Sequence, residues 1–366
     1  MQSPKLLVWR RVFDKAYQGE GAQDGPTAAS WNSSYTGQPI PRDEMYEYFV
    51  HTIARIQALQ PQRILEIGCG TGMILHRLAP LCAAYYGRDI SSRAIEAIRH
   101  WMRPEDGFAH VDLAVQQALD PWGVEPGTID TVVLNSVIQY FPDEAYLTAV
   151  LERVFETLAP GGHIFAGDII HADLLPAFHA SVQFSKAPAG STVGALKRRI
   201  EDLLRVENEL SVRPAFFRDL QQRLAPAGSV TVLVRRGRSD NEMTRYRYDA
   251  ILHAGPTQPA PAAEEIAWEA GRMQSPDVAA DLARRRPAAV FISDVPNARV
   301  ARDFELLRRL ETHDPDADVS TLGQSLPEPV GEHPETFWDL GESCGYSVQV
   351  SPAADPAAFD ARLVRK

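Results

Sequence analysis

The chain has 366 residues, 45% hydrophobic and 23% charged, a composition that builds buried cores and excludes disorder throughout. With 37 Lys and Arg against 48 Asp and Glu the net charge is -11, which repels a polyanion and argues against a nucleic-acid partner. No run approaches the roughly 18 to 20 apolar residues of a membrane helix. The start, Met1-Gln2-Ser3-Pro4-Lys5, lacks a signal pattern, so the expected location is the cytosol, away from membranes, with Cys69, Cys82 and Cys344 as free thiols.

Residues 1–59 read as an N-terminal cap. Trp31 to Pro41 contains prolines that forbid a regular helix or central strand, and from Glu44 to Leu59 apolar residues recur at helical spacing. The period then switches to a short buried strand, Ile64-Leu65-Glu66-Ile67. Alternation follows: helix near 72–80, strand 83–87, helix 91–102, strands 110–115 and 129–134, helix 143–158, strand 162–167. Such alternation predicts a parallel sheet with helices on both faces. About sixty residues then precede the next apolar run at 229–234, more than one crossover needs. The insertion, about 172–225, includes an amphipathic stretch from Val193 to Leu210, expected as a lid or as a solvated charged face. Val230 to Val234 and Arg245 to Leu252 read as a hairpin that closes the sheet. A Pro- and Ala-rich linker after His253 leads to a small appended region at 262–366, expected to be largely helical with a last strand at 346–350.

The sharpest local signal is Glu66-Ile67-Gly68-Cys69-Gly70-Thr71-Gly72, a buried strand entering closely spaced glycines and then a helix. Glycine there allows positive φ and close approach of a ligand to backbone N–H groups at a helix start. The third glycine comes two residues after the second, where a dinucleotide fingerprint has it three after. A nucleotide-like cofactor other than a dinucleotide is therefore expected. Asp89 ends the second strand beside this loop, where a carboxylate can accept hydrogen bonds from both ribose hydroxyls.

Together with Asp130-Thr-Val-Val-Leu-Asn135 and Leu158-Ala-Pro-Gly-Gly162, these motifs resemble class I S-adenosylmethionine-dependent methyltransferases over residues 60–255. The resemblance implies an α/β, Rossmann-like fold with a seven-stranded mixed sheet, carrying here an N-terminal cap, a lid insertion and a small C-terminal α+β appendage. It implies S-adenosylmethionine as cofactor and S-adenosylhomocysteine as product. Gly68, Gly70 and Gly72 would line the methionine end, Asp89 would hold the ribose, Gln117 and Ala118 would lie near adenine, and Asn135 near the sulfonium. Glu66, Ile90 and Tyr140 complete the expected cofactor set.

A narrower resemblance is to the methyltransferase domains of nonribosomal peptide and polyketide assembly lines. It is carried by Trp31 to Pro41, Leu134 to Pro142, Ala177 to Gln183 and Asn241-Glu-Met-Thr-Arg-Tyr-Arg-Tyr-Asp249, and in the tail by Val295 to Arg299 and Phe337 to Glu342. Such domains methylate N, O or C atoms of groups tethered through phosphopantetheine to an acyl or peptidyl carrier protein. Members that methylate nitrogen often have Gly-Asp-Val-Arg where this chain has Gly167-Asp168-Ile169-Ile170-His171, losing the arginine and gaining a histidine.

His171 and Glu242 both fall on the carboxyl side of the sheet if the strand order is the usual one. A carboxylate that orients an imidazole makes a general base, so the first expectation is methylation of an enol or hydroxyl oxygen of a carrier-bound β-ketoacyl or β-hydroxyacyl group. An aminoacyl nitrogen is the alternative acceptor, and a non-catalytic cofactor-binding docking module a weaker one. His171 reads otherwise as a helix cap or surface residue, and His179 as a packed residue before a substrate contact. Tyr35, His179 and Asn241 are the candidate substrate contacts. Lys197, Arg198, Arg199, Arg235, Arg236 and Arg238 are a candidate basic patch for the carrier. No His, Cys or Glu spacing suggests a metal.

Overall fold

The computed structural model describes residues 3–17, 31–103, 107–257, 261–326 and 330–366. Parts of the expected cap, 18–30, and of the linker, 258–260, lie outside the described residues. After helices α1 (Pro4–Ala16) and α2 (Arg42–Gln57), strand and helix alternate: β1 (Arg63–Ile67), α3 (Met73–Leu78), β2 (Ala84–Asp89), α4 (Ser92–Trp101), β3 (Val111–Val115), β4 (Ile129–Asn135), α5 (Glu144–Thr157) and β5 (Leu158–Ile170). Helices α6 (Leu175–Ser185), α7 (Val193–Arg205) and α8 (Pro214–Leu224) fill the insertion. Strand β6 (Ser229–Val234), the single turn α9 (Glu242–Arg245) and β7 (Arg247–His253) complete the sheet.

Strand order is β3-β2-β1-β4-β5-β7-β6, parallel except that β7 runs antiparallel to both β5 and β6. This is the seven-stranded mixed sheet that the resemblance to class I methyltransferases implies. Because side chains alternate across a strand, Leu65, Val132, Leu134 and Ile164 face one core with Leu147, Leu151, Val154 and Phe217. Their neighbours Ile64, Val133 and Phe165 face a second core with Leu75, Ile95, Ile98 and Ile56. Burial on both faces explains why these strands read as continuous apolar runs. The chain winds outward from β1 to β3 and returns to β4 on the other side of β1, so a crevice opens beyond the carboxyl ends of β1 and β4.

The C-terminal region contains β8 (Glu264–Ala267), α10 (Ser275–Arg285), β9 (Ala289–Pro296), α11 (Ala298–Thr312), α12 (Val319–Ser325), α13 (Pro334–Cys344), β10 (Tyr346–Pro352) and β11 (Ala358–Arg365). Its four-stranded sheet, β10-β11-β9-β8, has three strands that the helical expectation missed. Val234 of β6 joins its core with Val278, Leu282, Phe337 and Phe359. Helices α6 and α7 pack with α11 and α12 around Ala180, Leu196, Ile200, Leu306, Leu310 and Leu322. The amphipathic face of α7 is therefore used against the C-terminal region, a correction to its reading as a lid. Among the described residues no helix is long and apolar enough to cross a membrane.

Candidate active site

The crevice holds a cavity of about 300 Å³, and its two ends are built differently. At the first end β1 runs into a loop whose backbone is hooked under β2: Gly68 N and Cys69 N both donate to Arg88 O, at 2.7 and 3.1 Å. Gly68 has φ +82°, and a Cβ there would stand 2.6 Å from Val137 Cγ2, so only glycine fits. Asp89 pins the loop, its Oδ2 accepting from Gly70 N and its Oδ1 from Ser91 N, each at 2.8 Å. Burial pushes the Asp89 carboxyl up to about 6, opposed by the N–H groups of Ser91 and Gly70. Burial likewise pushes Glu66 up to about 8, and Tyr85 donates to its Oε2 at 2.6 Å.

Glu66, Gly68, Gly70, Asp89, Ile90, Gln117, Ala118, Asn135 and Tyr140 all line the cavity. Gly72 does not; a Cβ there would come 2.8 Å from the Trp101 ring, so its smallness serves packing against α4. Gln116, which the sequence reading passed over, joins the lining. Asp120 turns away to accept from Gln117 N at 2.8 Å. One wall is α1 and its C-cap, whose Trp9, Phe13 and Tyr17 face the cavity; Trp9 meets the Tyr140 ring at a tilt and Phe13 meets it edge-on, with centroids 4.6 and 4.8 Å away.

At the other end Trp31, Ile40, Phe49 and Met243 make an apolar wall beside Glu209, Glu242 and Arg247. Asn241 caps α9 in a capping box with Thr244, and Glu242, first in that turn, is buried at 7% exposure. Its Oε2 accepts from Ser34 N and its Oε1 from Ser34 Oγ, both at 2.9 Å. Ser34 is presented by a tight reversal in which Ser33 N donates to Gln38 O at 2.8 Å. Arg247 donates to Asp168 Oδ2 at 2.7 Å, and burial raises the Glu209 carboxyl. Asp168, at φ +60°, sits where β5 and β7 slip register; its N–H donates to Asp249 Oδ1 at 2.9 Å. Asp249 also takes Arg235 at 2.6 Å and pairs with Arg55. Asn135 joins the two ends: its Nδ2 donates to Tyr48 Oη at 3.1 Å, while its Oδ1 is buried with no hydrogen-bond partner.

The expected His171–Glu242 dyad does not form. His171 caps the short helical turn at Ala172–Leu174, its Nδ1 accepting from Asp173 N at 3.2 Å. Its ring packs on Tyr248 outside the cavity lining, and burial lowers its pKa to about 4. The physical reason is local: the turn after β5 folds the ring back onto its own backbone. His179 pairs with Glu207 at 3.0 Å, Tyr35 bonds Ser181 and Tyr246, and Asn241 spends its side chain on the α9 cap and Glu44; none of the three lines the cavity. Among the described residues no histidine lines it, and no His, Cys, Asp or Glu group is placed to hold a metal.

The expected basic patch does not stand as a set of free cations, since most of its members meet a carboxylate of the chain, in the interior for Arg235 and at the surface for Arg238 and Lys197. Arg235 is buried on Asp249. Arg236 and Arg238 pair with Glu335 and Asp339 at 2.7 and 2.6 Å, Lys197 pairs with Glu311, and Arg199 bonds Gln183 at 2.5 Å.

Residues 65–164 match a family described as a methyltransferase domain. The match runs from β1 into β5 of the seven-stranded sheet, whose strand order is that of the class I methyltransferase fold. The chain is 38% identical over 264 residues to the probable non-canonical nonribosomal peptide synthetase CymA of Salinispora arenicola, covering 72% of this chain and 3% of that protein. It is 35% identical over 360 residues to the chondramide synthase cmdD of Chondromyces crocatus, covering 96% of this chain and 9% of that protein. The chain thus spans less than a tenth of these relatives. Among solved structures, magnesium protoporphyrin IX methyltransferase (ChlM) from Synechocystis PCC 6803 with bound SAM aligns with 69% of this chain and 98% of its own, at TM-score 0.43 and 14% identity.

The cavity residues fit that cofactor. A glycine loop without room for a Cβ, a carboxylate beside it and a buried, unpartnered amide oxygen on Asn135 offer close backbone approach, an acceptor for paired hydroxyls and a polar spot beyond them.

Proposed function

We propose that this methyltransferase acts on the amine of an aminoacyl or peptidyl group tethered through phosphopantetheine to a carrier protein. The observation that carries this reading is the make-up of the acceptor end: carboxylates of Glu242 and Glu209 and no imidazole. Methylating an alcohol requires removal of a proton that a hydroxyl holds tightly, and the expected base, His171, is turned away with its pKa near 4. An α-amino group titrates near about 8, so its neutral form is available near neutral pH and needs orientation more than a strong base. The relatives' names as peptide synthetases and synthases support a carrier-bound aminoacyl substrate.

In this reading Gly68 and Gly70 approach the methionine end of the cofactor, Asp89 and Ile90 its ribose, Gln116, Gln117 and Ala118 its adenine, and Asn135 the sulfur end, flanked by Glu66 and Tyr140. When bound, S-adenosylmethionine supplies a methyl group on a cationic sulfur, so the protein's contribution is alignment and exclusion of water. Glu242, held rigid by Ser34, accepts the amine N–H and turns the lone pair into the cavity. Arg247, braced by Asp168, offers its guanidinium to the acyl carbonyl. Trp31, Ile40 and Phe49 keep the acceptor end dry.

The test is intact-mass spectrometry of an aminoacyl carrier protein and a β-hydroxyacyl carrier protein, each incubated with enzyme and S-adenosylmethionine. A gain of about 14 Da, one methyl replacing one hydrogen, placed on nitrogen by fragmentation is the expected result. Methyl on the oxygen substrate with none on the amine overturns the reading.

A further inference from the structure

Glu242 lies in a segment that its own residues, through the Asn241–Thr244 capping box, fix only in part. Between the end of β6 and the start of β7 the chain runs from Arg235 to Tyr246 with one helical turn, and the C-terminal region holds it from one side. Arg299 of α11, 3% exposed, donates from Nη1 to Arg235 O at 2.8 Å and to Thr244 O at 3.4 Å, and from Nη2 to Gly237 O. These carbonyls precede and follow Glu242, so one guanidinium closes the loop across its base. Gly237 N adds a bond to Glu335 Oε1 at 2.8 Å.

One turn along α11, Asp303 Oδ2 accepts from Tyr246 Oη at 2.9 Å and from Arg245, while Arg245 Nε donates to Arg299 O at 2.8 Å. Tyr246 Oη in turn meets Tyr35 Oη at 3.1 Å, and Tyr35 follows Ser34, the residue that grips Glu242. Helix α11 thus reaches the surroundings of both partners of the Glu242–Ser34 contact, through the loop carbonyls on one side and through Tyr246 and Tyr35 on the other. We infer that Arg299 and Asp303 are positioning residues of the acceptor end, through which the C-terminal region sets where the Glu242 carboxylate stands.

This inference rests on the reading that Glu242 meets the acceptor. The chemistry at position 299 is demanding, because a planar guanidinium spreads its donors over separate nitrogens that span the loop, whereas lysine's three donors radiate from one nitrogen. Removing it leaves buried carbonyls unpaired, and the loop relaxes away from the cavity. The cofactor end shares none of these contacts.

The experiment uses the full chain with R299K, R299Q, D303N, E242Q and the double variant E242Q/D303N. Its readouts are kcat and KM for an aminoacyl carrier protein and the Kd of S-adenosylmethionine. R299Q and D303N are expected to lower kcat/KM for the carrier substrate about tenfold with cofactor Kd within about twofold, R299K recovering part of the loss. In the double variant the loss is expected to be no larger than in E242Q alone, the mark of residues acting through one group. Additive losses, or a parallel loss of cofactor affinity, make Arg299 and Asp303 merely structural and overturn the inference. Should R299Q fail to fold, D303N and its cycle decide alone. E242Q with unchanged turnover overturns the acceptor reading itself. E242Q impaired, with full activity in R299Q and D303N, overturns only the inference.

Discussion

The two ends of the cavity are made of different materials. The cofactor end is largely backbone: the loop of five residues between β1 and α3, hooked to Arg88 O and pinned by one aspartate. The acceptor end is assembled from side chains far apart in the chain, as in the contact of Ser34 with Glu242, 208 residues away. A backbone site binds the part of the reaction that never changes, and its geometry is protected by glycines that admit no substitute. A side-chain site can be retuned one residue at a time, and here it depends on a second layer of charges, Asp168, Asp249, Arg235 and Arg299.

The sharpest way to break the distinction is Gly68→Ala. A non-glycine residue forced to φ +82° against Val137 costs about 1–3 kcal/mol, so cofactor affinity by calorimetry should fall about 10- to 100-fold; an unchanged Kd would mean that the loop is not where cofactor binds. Glu242→Gln should do the reverse, lowering kcat/KM for a carrier-bound amine about tenfold, as loss of a charge-assisted hydrogen bond does, with cofactor Kd unmoved. If both quantities move together, the two ends are one site.

Protonation sharpens the comparison further. The Asp89 carboxyl sits near 6 because of burial, and hydroxyl donors stabilise its ionised form. Cofactor affinity should therefore fall about three- to tenfold as pH drops from 7.5 to 5, and Asp89→Asn should flatten that profile. The stability effect has the opposite sign: the folded pKa lies above the ordinary 3.8, so the folded chain holds the proton longer and stability declines as pH rises from about 4 to about 6. The smallest effect is expected for His171→Asn, which keeps an acceptor for Asp173 N–H. Turnover within about twofold of the parent is the expected result, whereas a general base should cost about 10²-fold or more.

What the sequence makes legible follows the same division. The parallel sheet and the hairpin that closes it are each written in contiguous residues and stand in the structure as read; the glycine loop with Asp89 borders the cavity too, except that Gly72 serves packing against Trp101. The acceptor end is not, because nothing local says that Ser34 grips Glu242 or that His171 folds back onto Asp173. The motif Asn241 to Asp249 was visible, but the roles of Arg247 and Asp249 depend on Asp168 and Arg235, which reach them through strand pairing. Strands β9 and β11 were missed for a different reason. Ala289 to Ile292 is a short apolar run that reads equally as buried helix, although the alternation of Phe359, Ala361 and Leu363 carries the strand period.

Helix α1 walls the cavity with three aromatic rings, yet it buries only Leu6 fully. Its other fastenings include Ser91 Oγ donating to Asp14 at 2.6 Å and Lys5 reaching Pro142 O at 3.4 Å. A wall so lightly fastened opens at small energetic cost. Weakening that helix, as in Asp14→Ala, is expected to loosen one wall of the first end and to raise the dissociation rate of a ligand held there.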